Sequence, residues 1–554
     1  MRQRRYIIPA VVLATIALTF QSAKSDDRNF GISKSLTVFH DIFRDIDMLY
    51  VDTADMESLM KTGIDAMLNE LDPYTRFYPQ DNDSELKIMT TGRYAGIGAI
   101  IRQYPQNRYV AIEEPYENMP AYRSGLKAGD LILAIDGNSM EGRTTSYVSE
   151  RLRGNAGTHL TLSVLRPGCP DSLEIGIVRN NVTLPSVPFH GIYKGIGYII
   201  LDSFTENCSD DVRKALLELK EEGASSIVMD LRGNGGGLLS EAVEIVGLFV
   251  PKGTMVVETK GRNRQVSNSY RTQRAPVDEK IPLAVITDGS SASASEILSG
   301  ALQDLDRAVI IGSRTYGKGL VQSTRQTPFG GTLKITTSKY YIPSGRCIQE
   351  IDYSRHDASG RAERIPDSLT TVFHTASGRE VRDGGGITPD IKCAPDTMPD
   401  ILYYLSTDVV LFNFLNDYCA AHDTIAPADR FIVSDSLYDA FTDYVTKSDF
   451  KFTSRSSAVL ETLREIAEFE GLAGKASDEL NSLKKKLQYD MKHDLDTFKT
   501  EIKNFIGSGL TTRYHYQKGT IQYNMRYDAV LDSAISVLND KERYNAVLGR
   551  RGRR

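Results

Sequence analysis

Residues 225–237 read SSIVMDLRGNGGG, and this stretch decides the fold class. Its first half is a continuous apolar run, which is typical of a strand buried on both faces of a parallel sheet. A similar run, GYIILDSF at 197–204, lies upstream, and Val212, Leu216 and Leu219 recur at helical spacing between the two. The order strand, helix, strand predicts a right-handed parallel crossover, so we expect an α/β core.

Two further apolar runs, IPLAVIT at 281–287 and AVIIG at 308–312, continue the same pattern of buried strands. Between them, SSASASEI at 290–297 leads into a helical pattern. A serine at a strand-to-helix junction has exposed N–H groups beside it, and the positive end of the helix stabilises negative charge there. The segment therefore suits a nucleophile and its oxyanion hole, although spacing alone does not choose among its serines.

The segment GSRTYGKGLVQS at 312–323 resembles most of a phosphate-binding loop. Such a loop needs Ser or Thr after the lysine to hold magnesium, and position 319 is Gly, which argues against nucleotide binding. Lys318 can instead act as a general base if its pKa falls from about 10.4 towards 7–8. No histidine occurs between His190 and His356, which favours a lysine base.

Residues 91–180 predict a small β-rich module. Glycines mark turns on both sides of the apolar strand Leu131–Ile135, in the segment SGLKAGDLILAIDG at 124–137. This stretch resembles a PDZ domain. The resemblance implies capture of an extended peptide as an added strand, with its terminal carboxylate held by backbone N–H groups. It places that carboxylate-binding loop at Gly96, Ile97, Gly98 and Ala99.

Several motifs occur together and in one order: DLRGNGGG, the segment from SSASASEI through GKGLVQS, KYYIPSGRCIQ, and GGGITPD. In these motifs the chain resembles the carboxyl-terminal processing (tail-specific) serine proteases, peptidase family S41. The resemblance covers about residues 33–395 and implies a crotonase-like α/β protease core. It also implies a serine endopeptidase that cleaves proteins or peptides at or near their C-terminal tails.

The resemblance also implies the roles of individual residues. Ser293 is expected to be the nucleophile, Lys318 the general base and Gln322 the residue that orients the base. The oxyanion hole is expected at the backbone N–H of Ala294 and that of a glycine in NGGG, with Gly236 favoured and its glycine neighbours left open. No metal or cofactor is implied.

The first 25 residues have the pattern of an export signal. Three arginines within the first five residues precede an apolar run at 6–20, and QSAKS at 21–25 has the small-residue spacing of a signal-peptidase site. We therefore expect export to the periplasm or cell envelope. An uncleaved anchor at the inner membrane, and hence membrane association through the N-terminus, remains an alternative.

Helical patterns flank the two central modules. Near the N-terminus, apolar residues recur on one helix face from Ile32 to Tyr50, and residues 26–80 read as helical. After position 390 the chain is polar and helical, with an apolar stripe at Leu480, Leu483, Leu487, Met491, Phe498, Ile502 and Phe505. The expected organisation is multidomain α/β: signal peptide or anchor at 1–25, N-terminal helical region at 26–90, PDZ-like domain at 91–180, S41-type protease core at 181–395 and C-terminal helical domain at 396–554.

The composition of the chain limits the classes of partner that we expect it to bind. The formal net charge of −6 gives no reason to expect nucleic acid, and the five cysteines contain no CxxC pair that would indicate a zinc cluster. We expect protein substrates with exposed C-termini, and homo-oligomer formation is left open. Two alternatives to a protease are a catalytically silent PDZ-type peptide-binding scaffold and an acyl-CoA enzyme, because the core resembles the crotonase fold.

Overall fold

The computed structural model describes most of the chain after the N-terminal segment. The described residues are 29–79, 84–104, 106–357, 360–393, 398–448, 450–451, 455–472, 474–487 and 490–550. The predicted export signal at 1–25 lies outside them. The chain divides into two compact units, Met1–Tyr78 with Thr324–Ile335 and Pro79–Ser323 with Thr336–Arg554. Within the described part, no helix is both long enough and apolar enough to cross a bilayer.

The N-terminal unit contains two helices and a short strand. Helix α1 spans residues 29–49, α2 spans Met56–Asn69, and strand β1 spans Arg76–Tyr78 and pairs antiparallel with residues 332–334. The helices were predicted, but the strand was not. The apolar face predicted on α1 is largely exposed to solvent, with 64% of Leu36 accessible.

The PDZ-like module is an antiparallel sheet with short helices. Its elements are α3 Ser84–Thr91, β2 Arg93–Gly96, β3 Ala99–Arg102, β4 Ala111–Pro115, α4 Pro120–Arg123, β5 Leu131–Ile135, β6 Asn138–Ser139, α5 Thr145–Leu152, β7 His159–Leu165, β8 Leu173–Val178 and β9 Asn180–Thr183. The sheet order is β3-β4-β5-β7-β8, with β6 paired to β5. The predicted strand Leu131–Ile135 is confirmed, and alternate residues of β7 face the core because side chains alternate along a strand.

The α/β core follows. Its elements are β10 Phe189–Tyr193, β11 Ile196–Ile200, α6 Cys208–Glu221, β12 Ile227–Asp230, α7 Leu239–Val246, β13 Met255–Gly261, β14 Asn268–Arg271, β15 Leu283–Thr287, α8 Ala294–Asp304, β16 Val309–Gly312, β17 Leu320–Gln326, β18 Thr332–Tyr341, β19 Ile351–His356, β20 Ala362–Arg364, β21 Val372–His374, β22 Glu380–Arg382 and β23 Ile391–Lys392.

The main sheet of this core has the order β10-β11-β12-β15-β16-β23 and is parallel from β11 onward. Its central strands are buried along their whole length, as their continuous apolar sequences predicted. Helices α6, α7 and α8 contribute to one apolar cluster with this sheet. The carboxyl ends of β12, β15 and β16 meet at one edge, where ligands and catalytic groups gather in sheets of this kind.

The remaining helices are α9 Asp400–Thr407, α10 Val409–Ala421, α11 Asp435–Lys447, α12 Arg455–Phe469, α13 Ser477–Lys486, α14 Met491–Thr497, α15 Lys499–Asn524, α16 Ala529–Asn539 and α17 Lys541–Val547. The single apolar stripe predicted here is divided among α13, α14 and α15, with Leu487 directly after α13 and Phe498 between α14 and α15. Ile502 is buried, whereas Leu483 is 42% exposed. Helix α15 is interrupted at Tyr516, whose φ is 54° and ψ is −168°.

Candidate active site

The loop between β15 and α8 presents Ser293 at the start of the helix. Ser293 is the N-cap of α8 and has φ 57° and ψ −112°, a conformation that non-glycine residues rarely adopt. Backbone strain of this kind is found at functional sites, where the surrounding structure must hold it in place. Asp288 helps to hold this loop by accepting hydrogen bonds from the N–H groups of Ser290 and Ser291, each at 2.9 Å.

The neighbouring serines differ in their surroundings. The Ser291 hydroxyl is buried and donates to the carbonyl oxygen of Leu231, and the Ser295 hydroxyl is buried and donates to the carbonyl oxygen of Asn234. Both hydroxyls therefore join the α8 loop to the segment after β12. Ser293 is half-buried at the junction itself, which separates it from these two structural serines.

Glu296 holds the main chain of both predicted dyad residues. Its carboxylate is inaccessible to solvent, and Oε2 accepts the N–H of Ser293 at 2.8 Å and that of Lys318 at 2.9 Å. Oε1 accepts the N–H of Gly317 at 2.7 Å and the hydroxyl of Thr315 at 2.6 Å. Burial raises the pKa of Glu296 to about 7, while the four donors act in the opposite direction.

Tyr340, on β18, makes a second connection between the same two residues. Its hydroxyl lies 2.6 Å from the carbonyl oxygen of Lys318 and 3.1 Å from that of Ser293. The ring is almost fully buried, so the hydroxyl has a fixed position. The backbones of Ser293 and Lys318 are thus tied together at their N–H groups by Glu296 and at their carbonyl groups by Tyr340.

The glycines that flank Lys318 are required by close packing. A Cβ at Gly319 would lie 2.8 Å from the backbone nitrogen of Gln349, and one at Gly317, whose φ is +87°, would lie 2.5 Å from Cβ of Glu350. The N–H of Gly319 donates to Oε1 of Gln349 at 2.7 Å. The GKG sequence therefore fits a lysine in a tightly packed loop, and β17 follows it where a phosphate-binding loop would have a helix.

Gln322 lies on β17, and its side chain is half-buried. Its amide Nε2 donates to Oγ1 of Thr336 at 3.2 Å. The orienting role expected for Gln322 stays a prediction.

The NGGG segment reaches the nucleophile through Gly236. A Cβ on Gly236, whose φ is +101°, would lie 2.7 Å from the carbonyl oxygen of Ala292 and 2.8 Å from Cβ of Ser293, so only glycine fits. The N–H of Gly236 donates to Oδ1 of Asn234 at 2.8 Å. The favoured oxyanion donor is thus already engaged, and its use requires that this bond be shared or broken. The other expected donor, the N–H of Ala294, begins α8 beside Ser293.

Gly235 and Gly237 remain the alternative donors. Gly237 has φ +146° and forms a parallel bridge with Phe204, and its Cβ would lie 2.3 Å from the Phe204 carbonyl oxygen. A Cβ at Gly235 would meet no atom within 4 Å. Gly236 and Gly237 are therefore tightly packed, whereas a side chain at Gly235 would extend into open space.

Two residues of the predicted carboxylate-binding loop, Ile97 and Ala99, line a mainly apolar groove in the PDZ-like module. The groove is a cavity of about 260 Å³ between β3 and α5, and Ile97, Ala99 and Leu152 are among its lining residues. Strand β3 is at the end of its sheet, and Ala99, Ile100 and Ile101 of this strand line the groove. Gly98 has φ +74°, and a Cβ there would lie 2.6 Å from Cβ of Met119. The arrangement suits an extended peptide that adds to β3.

Curated relatives identify the family. The chain is 33% identical over 350 residues to a carboxy-terminal-processing protease of Bartonella bacilliformis, an alignment that spans 62% of this chain and 80% of the relative. The chain belongs to peptidase family S41. The sequence pattern of peptidase family S41 also matches residues 195–355 of the chain. A probable CtpA-like serine protease of Staphylococcus aureus is 31% identical over 347 residues. This alignment spans 62% of this S41 peptidase and 68% of the relative.

Two further domain families match other parts of the chain. A PDZ domain matches residues 112–166, and a C-terminal helical domain of probable PDZ-proteases matches residues 401–538. The first match begins after the predicted carboxylate-binding loop. The resemblance and the multidomain α/β architecture predicted from the sequence are thus confirmed, and the chain is a C-terminal processing serine peptidase.

Solved structures also resemble this S41 peptidase. The photosystem II D1 C-terminal processing protease is 26% identical and overlays 70% of this chain and 98% of its own, with a TM-score of 0.35. The PDZ domain of a carboxy-terminal protease from Vibrio cholerae, solved with a peptide, is 27% identical over 17% of this chain and 99% of its own, with a TM-score of 0.16.

Sequence reasoning missed three residues that organise the site: Glu296, Tyr340 and Asn234. A signal for Glu296 was present, because Ser293 and Glu296 have the spacing of a capping box. Asn234 is fully buried, and its amide Nδ2 donates to the carbonyl oxygen of Leu201 at 2.7 Å. Asn234 and Tyr340 lie in quoted motifs, DLRGNGGG and KYYIPSGRCIQ, but those motifs did not indicate that Asn234 holds the Gly236 N–H or that the Tyr340 hydroxyl lies between the carbonyl oxygens of Ser293 and Lys318.

Proposed function

We propose that this S41 peptidase is an exported endopeptidase that uses a Ser293–Lys318 dyad on protein tails recruited by the PDZ-like module. The observation that carries the proposal is the double connection of Ser293 and Lys318 through Glu296 and Tyr340. Proton transfer from a hydroxyl to an amine is efficient when the two groups are held within hydrogen-bond reach, which requires that their backbones keep one relative position. These contacts support such a fixed position.

In the proposed reaction, the neutral amine of Lys318 takes the hydroxyl proton as Ser293 attacks the scissile carbonyl carbon. The N–H of Ala294 and that of a glycine in NGGG stabilise the tetrahedral oxyanion, and one such donor contributes about 3–4 kcal/mol. Lys318 then gives its proton to the leaving amine, the C–N bond breaks, and water hydrolyses the acyl-enzyme. Gln322 orients the amine.

Substitution of each dyad residue tests the mechanism. Ser293→Ala and Lys318→Ala are each expected to abolish cleavage of an unstructured protein substrate while circular dichroism and the unfolding midpoint stay close to those of the parent protein. Ser290→Ala is the matched control, because Ser290 lies in the same loop and is exposed. Full activity of Lys318→Ala would contradict the dyad.

A serine-reactive phosphonate separates the peptidase from a catalytically silent scaffold. The proposed enzyme forms one covalent adduct, which peptide mass spectrometry locates at Ser293, and Ser293→Ala forms none. A protein that binds tail peptides but neither reacts with the phosphonate nor cleaves any substrate is the scaffold.

Tail recruitment is tested with one reporter protein that carries different C-termini. We expect fast cleavage with an apolar tail and a free carboxylate, and slower cleavage when the tail is amidated or ends in charged residues, because the groove is apolar and the loop is proposed to hold a carboxylate. Equal rates for all tails would contradict this role and leave the dyad untouched.

The export part of the proposal rests on the sequence of residues 1–25 alone. Mass spectrometry of the protein purified from an exporting host tests it, with a mature N-terminus at Asp26 as the expected result. A protein that retains Met1 in the membrane fraction would indicate an uncleaved anchor, and one that retains it in the cytoplasmic fraction would contradict export.

A further inference from the structure

The loop that contains the candidate oxyanion glycines begins at an arginine that lies between two carboxylates. Strand β12 ends at Asp230, and Arg232 follows two residues later, directly before GNGGG. Nη2 of Arg232 lies 2.5 Å from Oδ2 of Asp230 and 2.5 Å from Oδ2 of Asp528, and Nη1 lies 3.2 Å from Oδ1 of Asp528. Asp528 comes from the C-terminal helical part of the chain.

These ion pairs are largely shielded from water. The Arg232 side chain is 30% exposed, Asp528 is 16% exposed and Asp230 is 5% exposed. Solvent-exposed ion pairs contribute little to stability, whereas the removal of one partner from a buried pair leaves a charge without compensation. The pairing raises the pKa of Arg232 against the effect of burial, so the guanidinium stays charged.

Asp528 is itself held rigidly. It is the N-cap of α16, and its Oδ1 accepts the N–H of Leu531 at 2.9 Å. Leu531 and Val537 of α16 belong to one buried apolar cluster with Ile286 of β15. The carboxylate is therefore fixed relative to the same sheet that carries the nucleophile loop.

The segment after Arg232 needs such an anchor. Four of the five residues in GNGGG at 233–237 are glycines, which lose more backbone freedom on ordering than other residues. Within that segment, Gly236 packs against Ser293, and the N–H of Gly233 lies 3.2 Å from both carboxylate oxygens of Asp288. The position of the oxyanion donor thus depends on how firmly the start of the segment is held.

We propose that Asp528 is a positioning residue for the oxyanion loop and acts through Arg232. The C-terminal helical domain then completes the active site from outside the protease core. The inference rests on the proposed Ser293 chemistry, because the loop matters only if it stabilises an oxyanion next to Ser293.

Asp528→Asn tests the inference, since asparagine can still cap α16 but has no charge for Arg232. We expect kcat for peptide cleavage to fall about tenfold with KM changed less than about twofold, as for an interaction that acts in the transition state. Affinity for a peptide aldehyde, whose adduct with Ser293 places an oxygen in the oxyanion hole, should fall by a similar factor. Asp528→Glu, which keeps the charge, should restore part of the loss.

Asp532→Asn is the matched control. Asp532 lies one turn later on α16 and pairs with Lys194 at 2.6 Å on the surface, away from the oxyanion loop. We expect it to leave kcat and aldehyde affinity unchanged. Equal losses in both variants, together with a lowered unfolding midpoint, would mean that Asp528 only stabilises α16 and would overturn the inference.

The outcomes also separate this inference from the proposed function. If Ser293→Ala is inactive and Asp528→Asn retains full kcat, the positioning role is wrong and the dyad stands. If Ser293→Ala remains active, the proposed chemistry is wrong, and the positioning role that rests on it is rejected with it.

Discussion

The backbone N–H groups of Ser293 and Lys318 donate to the same oxygen, Oε2 of Glu296, at 2.8 and 2.9 Å. These residues are 25 positions apart, yet one buried carboxylate fixes both. Such an arrangement makes the relative position of nucleophile and base depend on Glu296, a residue that need not touch the substrate.

Glu296→Gln is expected to reduce activity without removing either dyad residue. An amide has only one acceptor oxygen, so its NH₂ group would face two of the donors that the carboxylate now satisfies. Each unsatisfied donor costs about 1–3 kcal/mol of stability, and a displacement of about 1 Å between reacting groups can lower kcat about 100-fold. Peptide cleavage and chemical denaturation measure the two effects.

Glu218→Gln is the control for that substitution, because Glu218 lies on α6 with its side chain 41% exposed and pairs with His190. It should change neither quantity measurably. Normal activity in Glu296→Gln would show that the shared carboxylate is unnecessary for the dyad.

Gly236→Ala is expected to impair catalysis more than folding. The added Cβ would approach the Ala292 carbonyl oxygen to 2.7 Å and must displace the loop from Ser293. Loss of one oxyanion donor lowers kcat by about 100- to 1,000-fold. Gly289→Ala provides the comparison in the nucleophile loop, since a Cβ there meets only the Arg314 carbonyl oxygen, at 4.0 Å. Similar kcat values for the two variants would argue against close packing of the loop on Ser293.

The raised pKa of the buried Glu114 predicts that the stability of the protein depends on pH. Its Oε1 accepts the N–H of Gln517 at 2.6 Å, directly after the interruption of α15 at Tyr516. Burial raises the pKa of Glu114 from 4.5 to about 7, against the effect of the Gln517 hydrogen bond. Between these pH values the folded chain retains a proton that the unfolded chain has lost, so this group lowers stability as pH rises from about 4.5 to 7.

Glu114→Gln should therefore stabilise the protein at pH 8 by about 1–2 kcal/mol and leave it nearly unchanged at pH 4.5, since the amide stays neutral and still accepts the Gln517 N–H. Denaturant titrations at the two pH values measure the difference. Glu141→Gln, which removes an exposed pair with Arg108, serves as the control and should show no such pH dependence. An equal effect of Glu114→Gln at both pH values would contradict the raised pKa.

The sequence predicted those parts of the structure that local patterns determine. Continuous apolar runs predicted the buried strands, including Leu283–Thr287 within IPLAVIT, and the segment after Lys318 was predicted to be extended and is strand β17. Strand β1 was missed because three residues, Arg76–Tyr78, carry too little pattern and form a strand only by pairing with residues 332–334.

The contacts that organise the site could not be predicted in the same way. Glu296 accepts hydrogen bonds from N–H groups of residues more than 20 positions away in the sequence. Asp528 forms an ion pair with Arg232, which lies 296 positions earlier. The apolar face of α1 was read correctly from its spacing, but spacing does not say whether a face is covered, and Leu36 is exposed. The motif resemblance supplied the identity of Ser293, which residue patterns alone left open among four serines.

The positive φ of Ser293 implies a conflict between reactivity and heat resistance. A non-glycine residue in such a conformation costs about 1–3 kcal/mol, and alanine at 293 would retain that cost whereas glycine would relieve it. The inactive Ser293→Gly protein should therefore melt at a higher temperature than the equally inactive Ser293→Ala protein. A more stable variant of this enzyme would have to gain its stability at other residues, because Ser293, the proposed nucleophile, must keep its strained backbone conformation.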